Sequence, residues 1–420
     1  MARLPTRVLL RSLVMTSLMS SKILMRPALN ILNLLATSRL PFLNADRNSI
    51  LNRALRLTVY NHFCAGTNHA EVSKTIADTK RIGYQGVILG YSKEIVLNPN
   101  EQSPTDSISA KYSDRCYGMV EEWKEGTLKT LRMLEPGDFL AVKLTGAGPI
   151  SIDAMAACQP MPEVVAKAVD TICVATAQQG SRLWLDAEQQ VLQHGLDKWA
   201  IEMMRTHNRS ETPIVYNTIQ GYLKGSKANV DNHIKLAAQE GWSLGIKLVR
   251  GAYIEHENRA LIHDTKEETD RSYDMIADTL LCRRLPAEVE HLRFPSAALF
   301  LATHNAASTA KAITTHQERL LAGQPTVKLE CGQIQGMADE LSCELLQKYE
   351  HALVHSSTAE VSLPKTFKYL TWGSVAECMG YLHRRAIENR GAVERTQHMV
   401  AAIRLELWRR LFGVGTKFGR

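Results

Sequence analysis

The chain has 420 residues, 45% hydrophobic and 22% charged, the composition of an ordinary globular protein with enough length for one large core or two smaller ones. Its formal charge of +7 is unevenly placed: Arg3, Arg7, Arg11, Lys22, Arg26 and Arg39 all fall in residues 1–45, which hold no Asp or Glu. Without those six, 44 bases (50 less 6) face 43 acids, so the body is neutral and offers no electrostatic footprint for nucleic acid.

In chain order, residues 1–45 are basic, acid-free and rich in Leu, Met, Ser and Thr. They read as a mitochondrial targeting segment, or as an amphipathic helix packed on the body or lying on a membrane surface. The uncharged runs SLVMTSLMSS and PALNILNLLATS fall short of the roughly 18 residues that a spanning helix needs. Residues 46–85 read as a helical arm. From 86 to 395, short β-branched or apolar runs alternate with longer helical stretches. The runs are GVILG (86–90), FLAVKLT (139–145), SRLWLD (181–186), TPIVYNT (212–218), LGIKLVR (244–250), AALFLATHN (297–305), TVKLECGQI (326–334) and TFKYLTW (366–372). The intervening PEVVAKAVDTICVATAQQG and NVDNHIKLAAQEG end at Gly180 and Gly241, as helix C-termini often do. The polar stretch 97–114 reads as a linker, and residues 396–420 as a C-terminal helix.

Eight strands alternating with helices predict a (βα)8 TIM-type barrel with a helical N-terminal arm and a helical C-terminal extension. The alternative is a doubly wound open sheet. Its dinucleotide fingerprint is missing: TGAGPI carries two of the three required glycines. The eight cysteines form no Cys-x-x-Cys pair and no Cys/His spacing suited to zinc, so they read as reduced thiols and no metal site is expected.

Barrel catalysis takes place at the C-terminal ends of the strands. Those ends carry Lys143; Asp186 and Glu188; Gln220; Lys247, Arg250 and Tyr253; and Thr303, His304 and Asn305. The helix YLHRRAIENR (381–390) follows the last strand, and its Tyr381, Arg385 and Glu388 share one face. Adjacent arginines usually form a solvated surface, and Arg283–Arg284 and Arg409–Arg410 occur here too. Lys143 and Lys247 are different, because each interrupts an apolar run, and a buried ammonium must be paired or functional. Asp186 is the expected partner of Lys143. Lys143, Arg384 and Arg385 could together hold a small carboxylate. With no activated nucleophile in view, the pattern suits a cofactor-dependent enzyme.

At this point the strings KLVRGAY, LDAEQ, ATHN, QGM and above all YLHRRAIEN resemble the proline dehydrogenase family, in order, from about Phe63 to Arg395. The resemblance implies a distorted (βα)8 barrel that binds FAD without a covalent link. It implies oxidation of L-proline to Δ1-pyrroline-5-carboxylate by hydride transfer from C5 to flavin N5. Electrons would pass to ubiquinone at the matrix side of the inner mitochondrial membrane. It implies Asp186 and Lys247 as active-site residues. Lys143, Arg384 and Arg385 would bind the substrate carboxylate, with Leu248, Tyr253, Trp372 and Tyr381 lining its ring. Ala187, Gln220, Arg250, Gly251, Ala252, Thr265, Thr303, His304 and Glu388 would contact the flavin. Two positions depart from the family pattern. Trp372 stands in TWGSV where many relatives have tyrosine, which leaves proline and hydroxyproline both open as substrates, and Lys247 stands where bacterial relatives carry arginine. The oligomeric state is left open. Two other classes remain: a flavin-free lyase or aldolase using Lys143 or Lys247 as a Schiff base, and an inactive barrel serving as a membrane-attached scaffold.

Overall fold

A computed structural model of the chain describes residues 1–38, 40–93, 112–254, 257–355, 363–390 and 393–413; the side chains of 18–20, 22–24, 355, 388–390 and 393–399 lie outside the description. The expected linker at 97–114 lies outside the described residues as far as 111. Nine strands are present among the described residues: β1 (Cys64–Gly66), β2 (Gly86–Tyr91), β3 (Phe139–Val142), β4 (Arg182–Leu185), β5 (Val215–Gln220), β6 (Leu244–Val249), β7 (Ala297–Ala302), β8 (Lys328–Ile334) and β9 (Lys365–Trp372). β2 to β8 pair in sequence order, and β9 pairs with both β2 and β8, so eight parallel strands close into a barrel. Closure excludes the open sheet. The strands read as near-continuous apolar runs because a parallel sheet covered by helices is buried on both faces. Gly180 and Gly241 cap the helices Glu163–Gln179 and Ser226–Glu240 in the left-handed conformation, as their positions suggested.

The chain divides into two compact units. The first holds Gln85–Gly332 and Tyr349–Phe367, and contains β2 to β7, most of β8 and the start of β9. Alternate residues of a barrel strand point inward, and here the inward positions stack in layers. Arg182 and Glu330 form a buried, bidentate ion pair, with the guanidinium 3.9 Å from the centroid of the Phe139 ring. Above it Phe139 packs against Trp184 (4.9 Å between centroids), Phe300 (5.2 Å), Tyr216 (5.3 Å) and Phe367 (5.5 Å). The next inward position on β4 is Asp186. One strand ends earlier than its sequence suggests: β3 stops at Val142 rather than running through FLAVKLT. Beyond it the backbone is held by side chains instead of the ladder, with Trp123 Nε1 donating to Lys143 O at 2.9 Å and Thr145 N donating to Glu188 Oε1 at 3.0 Å.

The second unit holds Met1–Tyr84, Gln333–Lys348 and Lys368–Arg420. Within it, β1 pairs with the end of β9 (Cys64 beside Thr371, Gly66 beside Trp372), a short strand inside a stretch expected to be helical. Helices Thr6–Ser20 and Lys22–Thr37 contribute Met15, Met25, Leu29 and Leu32 to an apolar cluster with Tyr60, Phe63, Met379 and Leu382. Leu4 and Leu9 join Ile403 and Leu407 in a second cluster. Lys368 is buried in β9, where it donates to Asp339 Oδ1 at 2.8 Å. No described helix is long and apolar enough to cross a membrane.

Removing one partner of a buried ion pair leaves an uncompensated charge. Arg182→Met is therefore expected to cost about 3–5 kcal/mol of unfolding free energy in urea; a loss below about 1 kcal/mol would place the pair among exposed bridges instead.

Candidate active site

In the barrel unit, Asp186 is the first residue beyond β4, and its backbone N–H donates to Val142 O at 2.8 Å. Its carboxylate is shared by two ammonium groups. Lys247, midway along β6, reaches Oδ1 at 2.5 Å, and Lys143, the first residue beyond β3, lies 3.3 Å from Oδ2. Asp186 and Lys247 are each 6% exposed, and the Lys143 side chain 15%. The Lys247 ammonium also sits 4.3 Å from the centroid of the Trp184 ring, a cation–π contact on the aromatic layer below. Thus the pairing of Lys143 with Asp186 inferred from sequence is present, and Lys247 joins it. The three groups sum to one positive formal charge at the C-terminal ends of the strands.

Gln220 is the last residue of β5. Its Nε2 donates to Glu188 O at 3.4 Å, and its Oε1 is buried with no described partner. A buried acceptor left open in this way calls for a donor from a ligand or water. Ala187 is buried beside Asp186. After β6, Arg250 fans out to Asp270 Oδ1 (Nε at 3.1 Å, Nη2 at 2.8 Å), to Thr303 Oγ1 at 2.5 Å and to Ser308 Oγ at 2.9 Å. Its guanidinium also stacks 4.4 Å from the centroid of the Tyr273 ring. Asp270 is partly desolvated, which works against ionisation, but bonds from Lys266 and Arg250 outweigh this and hold its carboxyl below the usual range. Burial pushes the Tyr273 phenol well up, and Tyr273 OH donates to Leu248 O at 3.2 Å. Gly251 is required where it stands: φ is +150°, and a Cβ there would meet the Tyr222 ring at 2.5 Å. Tyr253 and Thr303 are buried, while Ala252 and His304 are half-buried.

Thr265 lies elsewhere in purpose. It is exposed and caps the helix Lys266–Leu281, accepting from Glu268 N at 3.1 Å while Glu268 accepts from Thr265 N at 3.2 Å. Its hydroxyl is used by the helix. Sequence reasoning passed over Asp270, whose spacing from Lys266 resembles a surface ion pair, and gave Glu188 no role.

In the second unit, helix Met379–Arg390 carries Tyr381, Arg384 and Arg385, all buried. The Arg385 guanidinium lies 5.3 Å from the centroid of the Tyr381 ring one turn earlier. Arg284 and Arg409, from the two other adjacent pairs, are exposed. The pair in this helix is therefore not a solvated face. Trp372 ends β9 and is buried. The Glu388 side chain lies outside the described residues. Among the described residues no group of His, Cys, Asp and Glu could hold a metal ion.

A closed (βα)8 barrel with polar and charged groups buried at its C-terminal rim defines a barrel-enzyme class. Residues 72–398 match the family model described as "Proline dehydrogenase", and the chain belongs to that family. It is 28% identical over 418 residues to "Probable proline dehydrogenase, mitochondrial" of Schizosaccharomyces pombe, covering 86% of this chain and 81% of that one. It is 27% identical over 420 residues to "Hydroxyproline dehydrogenase" of Rattus norvegicus, covering 86% and 83%. Two further mitochondrial relatives are longer, and the chain spans 36% and 38% of them. Among solved structures, proline utilization A from Bdellovibrio bacteriovorus, inactivated by N-propargylglycine, shares the fold. Its TM-score is 0.65 at 15% identity, over 89% of this chain and 37% of that one.

Proposed function

We propose that the chain oxidises L-proline to Δ1-pyrroline-5-carboxylate with FAD as cofactor, in mitochondria, and passes the electrons to ubiquinone at the inner membrane. The Lys143–Asp186–Lys247 cluster at the barrel rim, in a chain of this family, carries the reading. The residues present fit a flavin in that Gln220 Oε1 is a buried acceptor in want of a donor. Gln220, Ala187, Arg250, Gly251, Ala252, Thr303 and His304 would hold the cofactor, and Glu388 with them; Thr265 would contribute through the helix it caps. When bound, a flavin supplies a two-electron acceptor for the hydride leaving the carbon beside the substrate nitrogen.

The chain's own residues do the rest. Arg384, Arg385 and Lys143 bind the carboxylate, and each such charge-assisted contact contributes roughly 1.5–3 kcal/mol. Asp186 keeps both lysines ionised and oriented, because a neighbouring opposite charge favours the charged form. Lys247 supplies a fixed positive charge that offsets negative charge arising during the reaction. The same cations disfavour a protonated substrate nitrogen, so the free amine is the form that reacts. Leu248, Tyr253, Tyr381 and Trp372 wall the ring. A bulky indole in place of a phenol at Trp372 affects tolerance of ring substituents, so 4-hydroxyproline belongs in the same assay. The Schiff-base alternative is disfavoured for both lysines, since a carboxylate within 3.3 Å keeps an ammonium protonated and poorly nucleophilic.

Exposed Leu10, Val14, Ile31, Leu34, Trp408 and Phe412 lie on the helices Thr6–Ser20, Lys22–Thr37 and Val393–Phe412, among basic residues, which supports contact with an anionic membrane surface.

Three outcomes are expected. Purified full-length protein should be yellow, and anaerobic L-proline should bleach it. Arg385→Met should raise the half-saturating proline concentration about 10- to 150-fold with the yellow colour retained. A colourless protein trapped by borohydride with substrate would support the lyase instead, and a variant saturating like the parent would remove Arg385 from the carboxylate site. The full chain should also sediment with anionic vesicles and be released by high salt or by Trp408→Glu/Phe412→Glu; equal binding of parent and variant would refute this membrane face.

A further inference from the structure

Glu188 stands two residues beyond Asp186 in LDAEQ, and the chemistry above gives it no task. It is 3% exposed, and both carboxylate oxygens are spent on one residue: Oε1 accepts from Thr145 N at 3.0 Å, and Oε2 accepts from Thr145 Oγ1 in a short contact. Thr145 lies in the tight turn Leu144–Ala147, whose first residue follows Lys143 directly. That turn begins where β3 ends: the Val142 carbonyl accepts from Asp186 N, and Lys143 is the first residue beyond the strand. The Lys143 carbonyl is held by Trp123 Nε1, and the turn just beyond by Glu188.

Glu188 is itself braced from behind. Its N–H donates to Gln193 Oε1 at 3.4 Å, and Gln193 Nε2 donates to Asp197 Oδ1 at 2.9 Å. Asp197 also accepts from Asn217 and Asn229, each at 2.8 Å, in a buried network that runs away from the site. A surface cap would need none of this. A buried carboxylate is costly unless its bonds are made, and here they are made to the turn that sets the reach of a site lysine.

We propose that Glu188 is a positioning residue for substrate binding: by clamping the Thr145 turn it holds Lys143 where its ammonium can meet both Asp186 and the substrate carboxylate. This rests on the reading of Lys143 as a carboxylate-binding residue. Glu188 touches no reacting atom, so its effect falls on KM and passes through Lys143.

The test is a double-mutant cycle on the full-length enzyme, following KM and kcat for L-proline. Glu188→Gln puts an amide where two donors now point. It is expected to raise KM roughly tenfold, the factor given by a change of about 1.4 kcal/mol, with kcat within about twofold. In a Lys143→Met background the same substitution is expected to change KM by a factor of about one. Thr145→Val, which removes the hydroxyl alone, should move KM the same way, and Thr145→Ser should restore it; this pair carries the test if Glu188→Gln does not fold. An equal rise in both backgrounds, or a fall in kcat alone, would overturn the positioning role. If Lys143→Met itself leaves KM unchanged, the reading of Lys143 fails first and takes this inference with it.

Discussion

One carboxylate shared by two ammonium groups, Lys247 buried and Lys143 half-buried, organises the barrel rim. Asp186 arrives there because β4 alternates inward through Arg182 and Trp184, and it meets two lysines: Lys143 from the end of neighbouring β3, and Lys247 from β6, two strands away. An isolated ammonium in this environment would cost several kcal/mol or lose its proton. The Asp186 carboxylate favours the charged form of both lysines. The barrel layer beneath contributes too, since the Trp184 ring offers its face to Lys247. Structure and chemistry are thus coupled at one residue: the group that offsets both cations is the same one that orients them.

Such an arrangement suits a reaction in which the protein's main tasks are to hold an anion and to stabilise charge. Two lysines and one aspartate give a positive rim; in the second unit, helix Met379–Arg390 buries Arg384 and Arg385, cations whose forked geometry matches a carboxylate. Arg250 serves a different end. Its donors are directed to Asp270, Thr303 and Ser308, so it ties the segment after β6 to the end of β7 and the helix beyond. Any flavin contact it makes comes from a guanidinium whose orientation the protein already sets.

Much of this was legible in the sequence. Eight apolar runs gave the strand count, and a lysine inside two of them was a sound signal because buried ammonium groups demand partners. The period of two even gives the inward phase: 182, 184 and 186 on β4, and 216, 218 and 220 on β5, point the same way. What could not be read was local competition for backbone bonds. FLAVKLT looks like seven residues of strand, yet Trp123 takes the Lys143 carbonyl and Glu188 the Thr145 amide, and both lie far off in sequence. Asp270 was hidden because its spacing from Lys266 is that of a solvent-exposed helix pair. Thr265 had the opposite problem. Its T-x-x-E pattern announces a helix cap, and that cap is the use the fold makes of it. Burial of Arg384 and Arg385, against exposed Arg284 and Arg409, is likewise invisible in a dipeptide that occurs three times.

The dependence on Asp186 can be measured without substrate or cofactor turnover. Equilibrium unfolding in urea of Asp186→Leu should show a loss of about 3–5 kcal/mol, the cost of breaking a buried charge cluster from one side. Adding Lys143→Met and Lys247→Met to that variant should recover most of the loss, since neutral side chains of similar length need no counter-charge. If the triple variant is no more stable than Asp186→Leu alone, the two lysines do not depend on that carboxylate, and the organisation of the rim described above is wrong.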